Sequence, residues 1–209
     1  VKRRLRQLEK ADDNGHTAYV SELSEHVLHD FPDAVPALIH LAGALRDLAR
    51  YSEALTALRR LRRFLRPEKQ YLVDSQLGHL YQQKGDFRRA EFWFRKAASA
   101  RPSAATYHIF LGAILGLSGR LAEAEAEHRK ATRCRTGCID EAFLNLGFIL
   151  RAQRRYREAR SCFERALRIS PRYKEAREAL QDVKLVLRMK ARRSNQSMKL
   201  TAGSSAINF

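Results

Sequence analysis

Two stretches of the chain, LGHLYQQKGDFRRAEFWFRKAASARP (Leu77 to Pro102) and LGFILRAQRRYREARSCFERALRISP (Leu146 to Pro171), have equal length and share a spaced set of residues. They agree at Leu77/Leu146, Gly78/Gly147, Arg88/Arg157, Ala90/Ala159, Phe94/Phe163, Ala97/Ala166 and Pro102/Pro171, while most positions between them drift. Self-similarity constrains the fold more than composition does, because a unit that recurs has to pack against copies of itself.

Four windows carry the pattern. Each opens on a large residue followed by a small one: Leu41-Ala42, Leu77-Gly78, Leu111-Gly112 and Leu146-Gly147. Leu45, Tyr81, Leu115 and Leu150 follow three residues later, then the apolar Tyr51, Phe87, Leu121 and Tyr156. Three residues beyond those stand Ala54, Ala90, Ala124 and Ala159, spaced 36, 34 and 35 residues apart. Leu58, Phe94, His128 and Phe163 come next, and then Leu61, Ala97, Ala131 and Ala166. Each window therefore holds two apolar stripes at helical spacing, divided by a short break such as KGDF or LSGRL. Two helices joined by so short a turn lie antiparallel. With axes about 8–10 Å apart, their crossing requires small side chains, which the recurring glycines and alanines supply. Pro67, Pro102 and Pro171 stop the second helix, since proline cannot donate the helical bond.

In these large-small pairs, alanines, second-helix aromatics and terminal prolines the chain resembles the tetratricopeptide-repeat family, whose period is about 34 residues. The resemblance implies an all-α fold, a right-handed α-solenoid of antiparallel helix hairpins coiled into a superhelix. Repeats are expected at 35–70, 71–104, 105–139 and 140–173, with His128 in an aromatic position and Thr136 near the usual proline. Residues 1–34 read as a degenerate first repeat: a short helix (Leu5, Leu8), a DDNGHT break, and an amphipathic run from Ala18 to Phe31. Residues 174–192 supply a capping helix with Ala176, Leu180, Val183 and Leu187 on one stripe, which seals a stack of hairpins. From Arg193 to Phe209 periodicity is lost, and a disordered tail is expected.

Stacked hairpins present an extended concave surface. In the resembled family it is lined by the second stripe of each first helix and takes extended peptides or a partner's helix. Here that stripe holds Ile39 and His40; Gln76, His79 and Gln83; Ile109, Phe110 and Ala113; and Leu144, Asn145, Phe148 and Arg151. Its middle is apolar and its edges polar, which suits an amphipathic or hydrophobic protein segment. The alternative is that these side chains pack against adjacent repeats, above all Ile109 and Leu144. One branch of the family grips a terminal carboxylate with basic and amide residues on this stripe. Asn145 matches, but Ile109 and Ala113 stand at the corresponding spots one repeat earlier, so that specialised reading is set aside.

The formal net charge of +17 attracts acidic partners. Residues 1–33 hold 5 basic and 7 acidic side chains, so the excess lies in the rest of the chain. It falls mainly on second helices, where Arg59, Arg62, Arg63 and Arg66, and then Arg154, Arg155 and Arg157, are available to a polyanion such as RNA, DNA or an acidic membrane surface. Interleaved exposed aromatics are not evident there, and a solvated outer face accounts for the same residues.

Catalysis finds little support. No phosphate-binding glycine loop, nucleophile elbow or HExxH occurs, and the repeats use nearly the whole chain. His40 and His79 are placed to approach one another across neighbouring first helices, and His128 lies near Cys134 and Cys138. Neither grouping has zinc-site spacing, so no metal or cofactor is expected. Three cysteines are too few for a disulfide framework. The basic start VKRRLRQLEK has no apolar core behind it, and the longest apolar run, IFLGAILGL, is too short to cross a bilayer. The sequence thus predicts a soluble, cytoplasmic, non-catalytic adaptor that binds a peptide or helix of another protein, with polyanion binding as the alternative.

Overall fold

The apolar stripes become helices at the expected places. The computed structural model describes residues 2–204, with side chains for 2–192. The chain divides into two compact units, Val1–Pro102 and Ser103–Phe209. The first holds α1 (Lys2–Asp13), α2 (Thr17–Asp30), α3 (Val35–Asp47), α4 (Tyr51–Phe64), α5 (Tyr71–Gln83) and α6 (Phe87–Ala100), with a 3-10 turn at Pro67–Lys69. The second holds α7 (Ala105–Leu117), α8 (Leu121–Ala131), α9 (Ile139–Ala152), α10 (Tyr156–Ile169) and α11 (Lys174–Ser204). Among the described residues the only β-type pairing is an isolated bridge between Ala104 and Thr136, which ties the loop after α8 to the start of α7.

Consecutive helices pair as hairpins, and one backbone device makes every turn. Gly15, Ala49, Gly85, Gly119 and Arg154 each take a left-handed φ, between 58° and 76°. A single such residue ends the first helix and reverses the chain. Asp86 then caps α6, accepting a 3.0 Å hydrogen bond from the Arg89 amide. The prolines act as expected: α4, α6 and α10 end at Phe64, Ala100 and Ile169, ahead of Pro67, Pro102 and Pro171. Arg66, next to Pro67, is extended, as steric contact with a following proline requires.

Small residues sit at the crossings, and the glycines face large rings. Ala54, Ala90, Ala124 and Ala159 are wholly buried. A Cβ placed on Gly78 would lie 2.5 Å from the Phe94 ring, and one on Gly112 would lie 2.7 Å from the His128 ring. Gly147 and Phe163 repeat the arrangement. His128 therefore fills an aromatic's place, as the repeat alignment requires.

α11 continues as helix to Ser204, past Arg193, where an aperiodic tail was expected. Side chains beyond 192 and residues 205–209 of that tail lie outside the described residues.

Candidate functional site

In the second unit the first helices α7 and α9 pack side by side, and their second stripe divides in two. Ile109 and Leu144 are only 3% and 5% exposed. Ile109 closes a small core with Ala105, Ala131 and Ala142, and Leu144 joins the core shared by α9, α10 and α11. Both are packing residues, which corrects their place among the candidate contacts. The reason is rotational: in a stack each first helix is flanked by two others, and the residues one step round from the hairpin seam turn into that neighbour contact.

Phe110, Ala113, Asn145, Phe148 and Arg151 remain partly exposed. Phe110 meets Tyr107 edge to face with ring centres 6.4 Å apart, and Phe148 meets Phe163 likewise at 5.5 Å. The Arg151 guanidinium stands 5.1 Å over the Phe148 ring and pairs with Asp182 of α11 at 3.0 Å. Asn145 hydrogen-bonds Glu141, whose carboxyl burial and Asp140 push above its ordinary range despite that bond. The result is an apolar patch with one amide and one cation at its border.

The corresponding stripe of the first unit is a polar ladder between neighbouring first helices. Asp12 of α1 pairs with His40 of α3 at 2.9 Å. Arg46 of α3 donates to Gln76 of α5 at 3.0 Å, and Gln83 of α5 donates to Asp47 of α3 at 3.0 Å. Ile39 packs against the core. His79 lies edge to face on Phe94, ring centres 4.9 Å apart, and burial, aided by the Arg46 charge, lowers its pKa to about 4. Sequence alone does not single out Asp12, Arg46 and Asp47. Their partners lie a repeat away, and only the repeat register points to them.

The basic residues separate by what they touch. Arg62 is engaged with Asp74 at 2.6 Å, and Arg155 with Glu125 and Glu158, each at 2.6 Å. Arg59, Arg63, Arg66, Arg154 and Arg157 are exposed. Contrary to expectation, aromatics do stand among the basic residues of α4 and α6. Phe92 is 61% exposed and Phe64 45%, and Trp93 is half-buried. Arg154, Tyr156, Arg157, Leu187 and Lys190 line an open cavity of about 390 Å3, with the Lys190 ammonium 4.5 Å over the Tyr156 ring.

A buried polar pair lies inside the α7–α8 hairpin, also unforeseen. His108 donates through Nδ1 to Glu127 at 2.8 Å, and Lys130 donates to the same carboxylate at 2.7 Å. Burial alone would raise the Glu127 carboxyl, but these bonds prevail and hold it at about 2. His128 faces the other way. It is 1% exposed, its Nδ1 has no hydrogen-bond partner, and burial lowers its pKa to about 4. Among the described residues Cys134, Cys138 and Cys162 form no disulfide. Among the described residues no group of three or more His, Cys, Asp or Glu is placed to hold a metal, and no helix is long and apolar enough to cross a membrane.

Tetratricopeptide repeat profiles match residues 75–137 and 140–173. No curated protein matches the sequence. Among solved structures the chain is similar to TTC0263, a thermophilic TPR protein of Thermus thermophilus, at 22% identity and TM-score 0.72, over 88% of this chain and 98% of that one. It is also similar to YrrB, described as a TPR protein with an unusual peptide-binding site, at 16% identity and TM-score 0.56, over 85% and 90% of the two chains. The first TPR domain of Spaghetti (RPAP3), solved bound to the HSP90 peptide SRMEEVD, matches at 22% identity and TM-score 0.54, over 57% of this chain and 94% of that one.

Proposed function

Because the chain belongs to the tetratricopeptide-repeat family, we propose that it is a non-catalytic protein–protein interaction scaffold, binding a peptide or amphipathic helix of its partner across α7 and α9. The observation that carries this reading is the patch of Phe110, Ala113 and Phe148 left partly exposed on two adjacent helices, where Ile109 and Leu144 are consumed by packing. Aromatics held partly out of a rigid face are the usual anchors of protein recognition. Asn145 offers an amide to a partner backbone, and the Arg151–Asp182 ion pair gives the patch a polar border. The solved relatives with a peptide site or a bound peptide lend the reading general support, as properties of those proteins.

The test is selection from a peptide display library on the full chain, with affinities of the selected peptides measured by calorimetry. Peptides rich in apolar anchors are expected, and Phe110→Glu with Phe148→Glu should weaken them at least tenfold while helical circular dichroism is unchanged. Undiminished binding by that double variant would remove the patch as the site.

A further inference from the structure

We infer that the outer crevice beside Trp93 in the first unit binds single-stranded nucleic acid, one base entering the crevice while flanking arginines hold the phosphates. It is built from α4, α5 and α6, none of which contributes to the α7–α9 patch. The crevice has a volume of about 210 Å3, with an apolar floor of Leu55, Leu58, Val73 and Leu77 and aromatic walls at Tyr81 and Trp93. Arg59 and Arg62 stand at its rim. An apolar slot with rings for walls and guanidiniums at its mouth matches a flat heterocycle joined to a phosphate.

Trp93 itself is the second clue. It follows Ala90 by three residues, and the residues at that place in the other windows are Ala57, Glu127 and Cys162. The hairpin crossing therefore does not require a large ring there. What surrounds the ring is cationic: the Arg62 guanidinium lies 5.3 Å and the Lys96 ammonium 5.2 Å from its centre. Buried Asp74 holds both, Arg62 at 2.6 Å and Lys96 at 3.5 Å, so their positions are set before any ligand arrives. Phe92 meets Trp93 edge to face at 5.0 Å and extends the aromatic platform into solvent.

Charge supplies the third. Residues 51–102 carry 12 basic and 5 acidic side chains. Arg59 and Arg63 are exposed one turn apart on α4, about 6 Å along its axis, and Arg66 is exposed just past the helix end, a run of cations suited to successive phosphates of an extended strand. An acidic peptide would satisfy these charges but leave the ring-walled slot without a counterpart. A membrane would meet the exposed Phe92 and Phe64 but not the recessed crevice.

Trp93 is the only tryptophan, so the site reports on itself. The full chain is titrated at low salt with a 12-residue oligo(U), a 12-residue oligo(dT), inorganic polyphosphate, and phosphatidylserine vesicles, following Trp93 emission and, for the labelled oligonucleotides, anisotropy. The expected result is saturable quenching by one or both oligonucleotides, the tighter one naming the nucleic acid. Affinity should fall with salt along a log–log slope of about −2, for three phosphate contacts on a single strand. Trp93→Leu, which keeps an apolar side chain in that wall of the crevice, should weaken binding about tenfold by anisotropy, as should Arg59→Glu with Arg63→Glu. Polyphosphate binding as tight as the oligonucleotides with Trp93→Leu indifferent, binding to vesicles alone, or no oligonucleotide binding at 50 mM salt would each overturn the proposal.

Discussion

The ring of Phe94 lies so close over Gly78 that a methyl group on that glycine would approach ring carbon Cδ1 to 2.5 Å. The same contact recurs between Gly112 and His128 and between Gly147 and Phe163, so one steric relationship sets the distance between the two helices in each of three hairpins. It follows from the alternation of very small and very large side chains in the repeat. A glycine on the first helix lets the second helix lay a flat ring across its backbone, and both helices gain contact area.

Gly78→Ala should therefore destabilise the first unit, even though alanine is the better helix former. Phe94 is wholly buried and cannot swing aside, so overpacking is expected to outweigh the propensity gain and to cost about 1–3 kcal/mol net. Urea unfolding followed by Trp93 fluorescence measures this. Adding Phe94→Leu should recover part of the loss in a double-mutant cycle, because a smaller partner relieves the clash.

His128 makes the α7–α8 hairpin acid-sensitive. Its folded pKa of about 4 lies below the ordinary 6.5 because burial disfavours the cation. As pH falls through 6.5 the unfolded state takes up a proton that the folded state refuses. The stability tied to the neutral ring is thus complete above about 6.5 and drains away toward 4, by about 3 kcal/mol at most. His128→Phe, the residue used over Gly78 and Gly147, should flatten that part of the stability profile between pH 6.5 and 4. Thermal unfolding at pH 7.5 and pH 5 checks it: a variant that loses as much stability as the parent would refute the assignment.

Ala49 and Arg154 occupy turn positions that Gly15, Gly85 and Gly119 fill elsewhere, at φ of 58° and 62°. A side chain in the left-handed region costs about 1–2 kcal/mol, and glycine avoids this at some expense in unfolded-state entropy. Ala49→Gly should accordingly stabilise the first unit by about 0.5–1 kcal/mol, read as a rise in the urea midpoint at constant slope.

The hairpins were legible because their determinants are local and repeat in register: Gly78, Ala90, Phe94 and Pro102 say the same thing as Gly147, Ala159, Phe163 and Pro171. The candidate site was legible only as a stripe. Whether Ile109 faces solvent or the neighbouring repeat depends on how α7 is rotated against α9, which no single window encodes. Likewise Arg62 reads as an outward cation until Asp74, twelve residues away and buried, is brought beneath it. Trp93 is hard to recognise in the sequence as a surface ring, because apolar stripes read as core by default. The continuation of α11 has a propensity explanation. Arg, Gln, Met, Lys and Leu after Arg192 form helix well, and no proline or glycine interrupts before Gly203, so losing the apolar stripe did not end the helix.

The first hairpin solves the crossing problem with the roles exchanged. Aligned on the turn residues Gly15 and Ala49, Leu8 stands where the later windows place Ala42 and Gly78, and Ser24 where they place Leu58 and Phe94. Both are wholly buried, so the large side chain is here on the first helix and the small one on the second. The Ser24 hydroxyl has no hydrogen-bond partner, which makes it a desolvated polar group in an apolar crossing. Ser24→Ala removes the hydroxyl, fills the same space and favours helix, and should stabilise the first unit by about 1 kcal/mol. Ser24→Phe, which restores the residue type of the other windows, should instead destabilise it, since Leu8 already fills the crossing. Adding Leu8→Gly to Ser24→Phe should win back much of that loss, by rebuilding the arrangement of Gly78 and Phe94. Urea midpoints for the three variants, read from Trp93 fluorescence, decide the matter: if Ser24→Phe is tolerated alone, the exchange of large and small does not hold at this crossing.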